Sequence, residues 1–282
     1  MHKLIDIVEQ ALRDARLLLQ RTERGDEIVH HGGAFGDLAR DTELRGDRVL
    51  GEHIRDTFAD IPGVERITVE GMGDAHSPSG TGTLWVTGDP IDGSLNYKRG
   101  QHVGLPYVAC ITVLQRCINA ALSDVIAAGV IDLRGGNLWL AEKQGERYTT
   151  TFNGAPISCA TEQALDIGSM IVFGEIFYPE GRGLLARAFA GESGWLRSYG
   201  SSAYEMAVVA AGGAAAFIST RQKFHELGAG YALVRGAGGV ALDFYGSDIG
   251  SLPYDFNSQT PCILAANESI AAEIVARIKA VQ

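Results

Sequence analysis

The chain has 282 residues, is 46% hydrophobic and carries a formal charge of −10. That is enough apolar material for one large domain or two closely packed ones, and the acidic balance argues against nucleic acid or an anionic membrane as a natural partner. No apolar run reaches the roughly 18 residues of a spanning helix, and the four cysteines form no Cys-x-x-Cys pair, so buried reduced thiols in a cytoplasmic protein are expected.

The opening MHKLIDIVEQALRDARLLLQR sets Leu4, Val8, Leu12 and Leu19 near one face and predicts an amphipathic helix over 3–22. It has no apolar block or cleavage site of a leader. A second helix is predicted over 47–59, and the glycine-bearing run HHGGAFGDLARDTELRGD before it reads as a mobile loop. RITVE (66–70) predicts a strand, GMGDAHSPSGTG a loop, and TLWVTGD (83–89) a second strand. GLPYVACITVLQRC and NAALSDVIAAGVIDL read as buried strands. GNLWLAEKQGERYTTTFNGAPIS reads as hairpins turning at Gly135-Gly136, Gln144-Gly145 and Asn153-Gly154. From about residue 165 strand and helix alternate: SMIVFGE, GLLARAFAGES, WLRSYG, SSAYEMAVVAAGG, AAAFIST and ELGAGYALVRGAGG. A last helix, SIAAEIVARIKAV, has Ser269 as its expected N-cap. A strand-rich first half followed by alternation predicts a layered α+β/α/β chain, with halves 1–160 and 161–282 packed tightly around an active site.

The stretch WVTGDPIDGSLNYKRG carries the chemistry. A strand ending in Asp-Pro-Ile-Asp-Gly-Ser presents Asp89 and Asp92 at its carboxyl end, and Pro90 stiffens the turn so that the Ile91 carbonyl is exposed to a hard cation. Gly93 lets a ligand approach the backbone, and free N–H groups in the next turn favour an anion. Oxygen-only ligands suit Mg²⁺, and Mg²⁺ recruits phosphate, so an acidic chain can hold an anionic substrate. An Asp-capped helix start is the plainer reading of the same residues. Glu70 closes another strand, Asp47 lies at the start of a helix with Asp41 as a nearby rival, and Glu226 opens a late helix. Taken singly, each acid is more often a solvated surface charge or a cap than a ligand.

Together they follow the order of one family. GDPIDGSLN resembles the Asp-Pro-Ile-Asp-Gly-Thr-x-Asn signature of the inositol monophosphatase family, the Mg²⁺-dependent, lithium-sensitive phosphatase superfamily. GSSAYEMAVVAAGGAAAF and HELGAGYALVRGAGG are similar to two later family segments. GVIDLRGGNLWLAEKQGERYTTTFNGAPI is similar to archaeal-type members that act on inositol phosphate and fructose bisphosphate. The resemblance runs from about Asp47 onward and implies a layered αβαβα sandwich of the sugar phosphatase type, a homodimer, and two or three Mg²⁺ ions, with Mn²⁺ as a substitute. It further implies that Glu70, Asp89 and the Ile91 carbonyl hold one ion, that Asp89, Asp92 and Glu226 hold a second, and that Asp47 with Glu70 assists a third. The Gly93 and Ser94 N–H groups would cradle phosphate. Ser94, matching the family threonine, would with Glu70 orient and deprotonate the water that attacks phosphorus directly.

Departures from the family pattern bear on the substrate. Glu226 stands in place of Asp, His225 in place of Trp, Gly71 in place of a frequent second Glu, and Ser219 in place of the Glu that reads inositol hydroxyls. Arg221 and Lys223 lie just before Glu226, either as a solvated basic turn or as contacts to a second phosphate or the sugar ring. Arg197 precedes the turn Gly200-Ser201-Ser202, as a substrate contact or a structural ion pair. The expected protein is a Mg²⁺-dependent phosphomonoesterase of small polyol or sugar phosphates. The alternatives are a 3′-phosphoadenosine-type nucleotide phosphatase and a catalytically weakened regulatory member.

Overall fold

The computed structural model describes residues 3–31, 42–76, 82–100, 103–174, 178–191 and 194–282. Helix α1 (Leu4–Arg21) buries Val8, Ala11, Leu12, Ala15 and Leu19, the face its periodicity predicts. Strands β1 (Ile28–His31) and β2 (Thr42–Leu44) pair antiparallel, so a hairpin occupies part of the run expected to be loop; Asp41 and the rest of 32–41 lie outside the described residues. Helix α2 (Arg45–Ala59) starts earlier than expected because Asp47, in its first turn, accepts the Leu44 N–H at 2.8 Å and caps the end.

An eight-stranded sheet follows. Its strands are β3 (Val64–Val69), β4 (Gly73–His76), β5 (Leu84–Asp92), β6 (Val108–Leu114), β7 (Val125–Asp132), β8 (Leu138–Gln144), β9 (Arg147–Phe152) and β10 (Ala155–Pro156). They lie in the order β10-β9-β8-β7-β6-β5-β3-β4, antiparallel except for β3 against β5. The three predicted hairpins are present. The loop expected after Glu70 instead begins with β4, which folds back on β3; its polar, mostly exposed residues hide it from any alternation pattern. Strand β5 also runs beyond Asp89 to Asp92, with helix α3 (Ser94–Gly100) directly after it.

The second half builds a five-stranded sheet from β11 (Met170–Gly174), β12 (Trp195–Arg197), β13 (Ala216–Lys223), β14 (Val240–Leu242) and β15 (Gln259–Ala265), ordered β12-β11-β13-β15-β14. Between and after these strands come α4 (Pro179–Ala188), α5 (Ser202–Ala210), α6 (Phe224–Gly236) and α7 (Glu268–Lys279). Strands β14 and β15 are not predicted; β14 is very short, and Pro261 early in β15 masks a strand signal. The cap of α7 is Asn267, whose side chain accepts the Ile270 N–H at 3.0 Å, and not Ser269.

Helices α1 and α2 cover the outer face of the large sheet, α5 and α6 fill the space between the sheets, and α4 and α7 cover the outer face of the small one. This is the expected αβαβα order of layers. Helices α5 and α6 touch closely: a Cβ on Gly230 would lie 2.1 Å from Met206 Sδ, so that position takes only glycine. Their packing sets the start of α6 against the carboxyl end of β5. Cys110, Cys159 and Cys262 are buried and Cys117 is partly so; all four are free thiols.

Candidate active site

Strand β5 delivers Asp89 and Asp92 to the region between the two sheets, 2% and 6% exposed. The Ile91 N–H donates to Asp89 Oδ1 at 2.9 Å, which bends the chain back over its own carboxylate. Glu70 sits just past β3, tied by its N–H to the Gly88 carbonyl at 3.0 Å. Glu226 enters from the first turn of α6 and is 4% exposed. Four acids from three elements therefore meet, forming two overlapping triads of metal-ligand atoms. One is Glu70, Asp89 and His225; the other is Asp89, Asp92 and Glu226; within each, the ligand atoms lie within 4.8 Å of one another.

This gathering of charge is visible in the acidities. Burial, then the charges of Glu70, Asp92 and Glu226, push Asp89 well above the usual carboxylate range. Burial also raises Asp92, against the hydrogen bonds from Ser201, Ala203 and Ser202. Burial alone would raise Glu70 as well, but the Lys223 ammonium and His225 hold it well below its ordinary value. Lys223 Nζ lies 3.0 Å from Glu70 Oε1, so a cation already stands at that carboxylate. A cluster of buried carboxylates that raise one another is relieved by a multivalent cation, and the donor set of Asp89, Asp92 and Glu226 is all oxygen, which fits a hard ion such as Mg²⁺.

Asp92 is also bound from behind. Ser201 Oγ donates to its Oδ2 at 2.8 Å, the Ala203 N–H to Oδ2 at 2.7 Å, and the Ser202 N–H to Oδ1 at 3.2 Å. Ser201 and Ser202, predicted as substrate contacts, are thus buried partners of Asp92, while Gly200 is exposed beside them with φ +72°. The loop leading to them is held by two residues that sequence reasoning missed. Asn96 Nδ2 donates to the Tyr199 and Pro106 carbonyls at 2.6 and 2.8 Å. Buried Glu205 accepts the N–H groups of Tyr199 and Gly200, and burial, its largest influence, pushes its carboxyl up to about 8.

Gly93 occupies φ +89°, and a Cβ there would lie 3.0 Å from the Ser201 Cβ, so glycine is required where β5 turns into α3. Ser94 Oγ donates to the Ile91 carbonyl at 2.8 Å and lies 3.5 Å from Asp47 Oδ1. Asp47 is pushed up to about 8, by burial first and by Glu70 and Glu43 among its neighbours, against hydrogen bonds from Leu44 and Ser94.

Two predicted cations stand apart from the carboxylates in their described contacts. Arg197 is exposed on β12 with its guanidinium 5.0 Å from the Trp195 ring centre. Arg221 is exposed, donates to Gln259 Oε1 at 2.9 Å and lies 4.0 Å from the Tyr178 ring centre. Two further residues enter the site unannounced. Gln222, turned inward by an irregularity of register between Ser219 and Gln222, donates to Glu226 Oε2. His225 is fully buried with its Nε2 facing Glu70 and Glu226. The only signal for His225 was its departure from the family tryptophan; Gln222 had none.

The model of the inositol monophosphatase family matches residues 1–282, further toward the amino terminus than the motifs alone reach, and the chain belongs to this family of phosphatases. The fructose-1,6-bisphosphatase/inositol-1-monophosphatase of Archaeoglobus fulgidus is 23% identical over 270 residues, covering 84% of this chain and 98% of that one. Nus factor SuhB of Xylella fastidiosa is 27% identical over 282 residues, covering 95% and 91%. Among solved structures, the IMPase of Thermotoga maritima superposes with a TM-score of 0.79 at 21% identity, covering 98% of this chain and 96% of that one, a likeness of fold. Among the described residues no helix is long and apolar enough to cross a membrane.

Proposed function

We propose that the protein is a divalent-metal-dependent phosphomonoesterase of small polyol or sugar phosphates, inositol monophosphate and fructose 1,6-bisphosphate among them. The observation that carries this reading is the pair of triads sharing Asp89 at the foot of the Gly93–Ser94 turn. Residues 1–160 supply Asp47, Glu70, Asp89, Asp92 and Ser94, and residues 161–282 close the site with Glu226 and the Ser201–Ser202 turn. Mg²⁺ is the ion proposed for the oxygen triad, with Mn²⁺ as a substitute. Glu70, Asp89 and the Ile91 carbonyl would hold a second ion, and Asp47 with Glu70 would assist a third. A cytoplasmic homodimer belongs to the same reading.

Bound ions would supply the positive charge that the substrate phosphate and the attacking and leaving oxygens need. The Gly93 and Ser94 N–H groups, at a position without a side chain, are free to approach the phosphate. Ser94 Oγ lies between the Ile91 carbonyl and Asp47 and, with the Glu70 carboxylate, would orient and deprotonate the attacking water. An ion at Glu70 would release Lys223 toward the substrate, and Arg221 and Arg197 would serve at the rim for a second phosphate or the sugar ring.

The test is phosphate release from a panel of inositol, fructose, glycerol and adenosine phosphates, with divalent ion and with chelator. Release from sugar or polyol esters that stops with chelator and in Asp89→Asn supports the reading. Release only from the adenosine phosphates would move the protein to the nucleotide class. No release from any ester with any ion would refute it.

A further inference from the structure

Resting on the reading that the carboxylate cluster holds metal, we propose that His225 Nε2 is itself a metal ligand. With Glu70 and Asp89 it makes a mixed nitrogen–oxygen site that selects a borderline divalent transition ion, such as Co²⁺ or Zn²⁺, over Mg²⁺. Three observations converge on this. His225 is 0% exposed, and its Nε2 is buried without a hydrogen-bond partner. Its Nδ1 lies 3.3 Å from the Phe256 carbonyl, which can only accept, so Nδ1 carries a proton and Nε2 is the ring atom left to face the cluster. That Nε2 lies 3.4 Å from Glu70 Oε1 and 3.8 Å from Glu226 Oε1.

Nε2 and the Glu70 carboxylate can share this buried space only with a positive centre between them, a proton in the metal-free protein or a metal ion in its place. Two ligands about 2.1 Å from one ion and 90–110° apart are themselves about 3.0–3.4 Å apart, which matches the His225–Glu70 separation of 3.4 Å. Metal-bound histidines generally donate their other ring N–H to a carbonyl or carboxylate, fixing tautomer and ring angle, and the Phe256 carbonyl fills that place. The imidazole also packs on the Phe256 ring, centroids 4.8 Å apart, which holds its direction. Mg²⁺ prefers an all-oxygen shell, whereas imidazole suits later first-row ions. The two overlapping triads would thus differ in taste, one hard and one borderline.

The experiment uses the full chain freed of metal. Pulsed EPR of Mn²⁺-loaded wild type should show imidazole nitrogen coupling, which changes pattern when the protein is labelled with ¹⁵N-histidine; this arm needs no variant. In His225→Phe, with folding checked by circular dichroism, the coupling should vanish. Affinity for Co²⁺ should fall at least tenfold while affinity for Mg²⁺ changes less than threefold. Wild type without nitrogen coupling, or an unchanged Co²⁺-to-Mg²⁺ ratio in His225→Phe, would overturn the proposal. Mg²⁺-supported phosphate release without nitrogen coupling sinks this inference and leaves the proposed activity standing. Nitrogen coupling in a protein that hydrolyses no ester supports the ligand and removes the activity.

Discussion

Replacing Glu226 by Gln separates what this carboxylate does in the metal-free protein from what it does when metal binds. The Gln carbonyl can still accept from Gln222, as Glu226 Oε2 does, and its new N–H groups face Asp89 and His225, which accept. Packing is therefore kept and one charge is lost. Unit charges at the 4.8 Å limit of the Asp89–Asp92–Glu226 cluster repel by about 3.5 kcal/mol at an effective dielectric near 20. Asp89, pushed well above the usual carboxylate range, shares in this repulsion, and after relaxation of the site about 1–2 kcal/mol of relief is expected. The variant should melt a few degrees higher than wild type in chelator, at roughly 2–4 °C per kcal/mol. In Mg²⁺ the order reverses. Wild type should gain about 2.7 kcal/mol at a hundredfold excess over its dissociation constant, and the variant less than half of that. Glu226→Asp is the companion: it keeps the charge but shortens the arm by about 1.5 Å, so it should lose metal-induced stability without gaining any in chelator. Calorimetry in both buffers reads all three proteins. A Glu226→Gln protein that melts no higher in chelator and gains as much from Mg²⁺ as wild type would take Glu226 out of the site.

Ser94→Ala should lower kcat by roughly a hundredfold with little change in KM, and Ser94→Thr should stay active; equal turnover in all three would reduce the hydroxyl to a helix cap. Asp92→Asn should lose several orders of magnitude in kcat and also some stability, about 1–3 kcal/mol, because an amide NH₂ would face donors from Ser201, Ser202 and Ala203. Both losses are read from one purified variant by kinetics and melting. Asp47 and Glu205, each pushed up to about 8, hold protons in the folded state that the unfolded chain has released, so the metal-free protein should lose stability as pH rises from about 4 through 8. Melting temperatures in chelator across that range test this, and a rising curve would contradict it.

The carboxylates were legible because their chemistry is local. Asp-Pro-Ile-Asp-Gly-Ser is one uninterrupted strand exit, and Glu70 closes the strand that pairs with it. The layer order was legible from alternation of apolar strands and helices. What escaped depended on contacts made far along the chain. Strand β4 is an edge defined by pairing with β3 and not by its own residues. Gln222 turns inward only because β13 is irregular against β15. Glu205 and Asn96 act through backbone groups of the 199–200 turn, and backbone partners leave no trace in residue type. Ser201 and Ser202 were placed in the right neighbourhood, but their hydrogen bonds face Asp92.

The departures at the start of α6 form one linked structure. Gln222 holds one oxygen of Glu226, and His225 lies 3.8 Å from the other. A Cβ on Gly174 would meet Gln222 Oε1 at 3.1 Å, so the space for that amide depends on a glycine in another strand. The longer acid, its amide partner and the imidazole therefore act together, and reverting one alone leaves the others mismatched. The same linkage bears on whether the chain is a weakened relative. Burying Asp89, Asp92 and Glu226 within 4.8 Å of one another opposes folding of the metal-free chain, and a protein with no use for metal would gain stability by exchanging Glu226 for its neutral amide. All three are present, Asp92 is bound by three donors, and His225 Nε2 faces the cluster without a hydrogen-bond partner. A multivalent cation would relieve that arrangement, and on the proposed reading the changes at the start of α6 bear on the choice of ion and not on its loss.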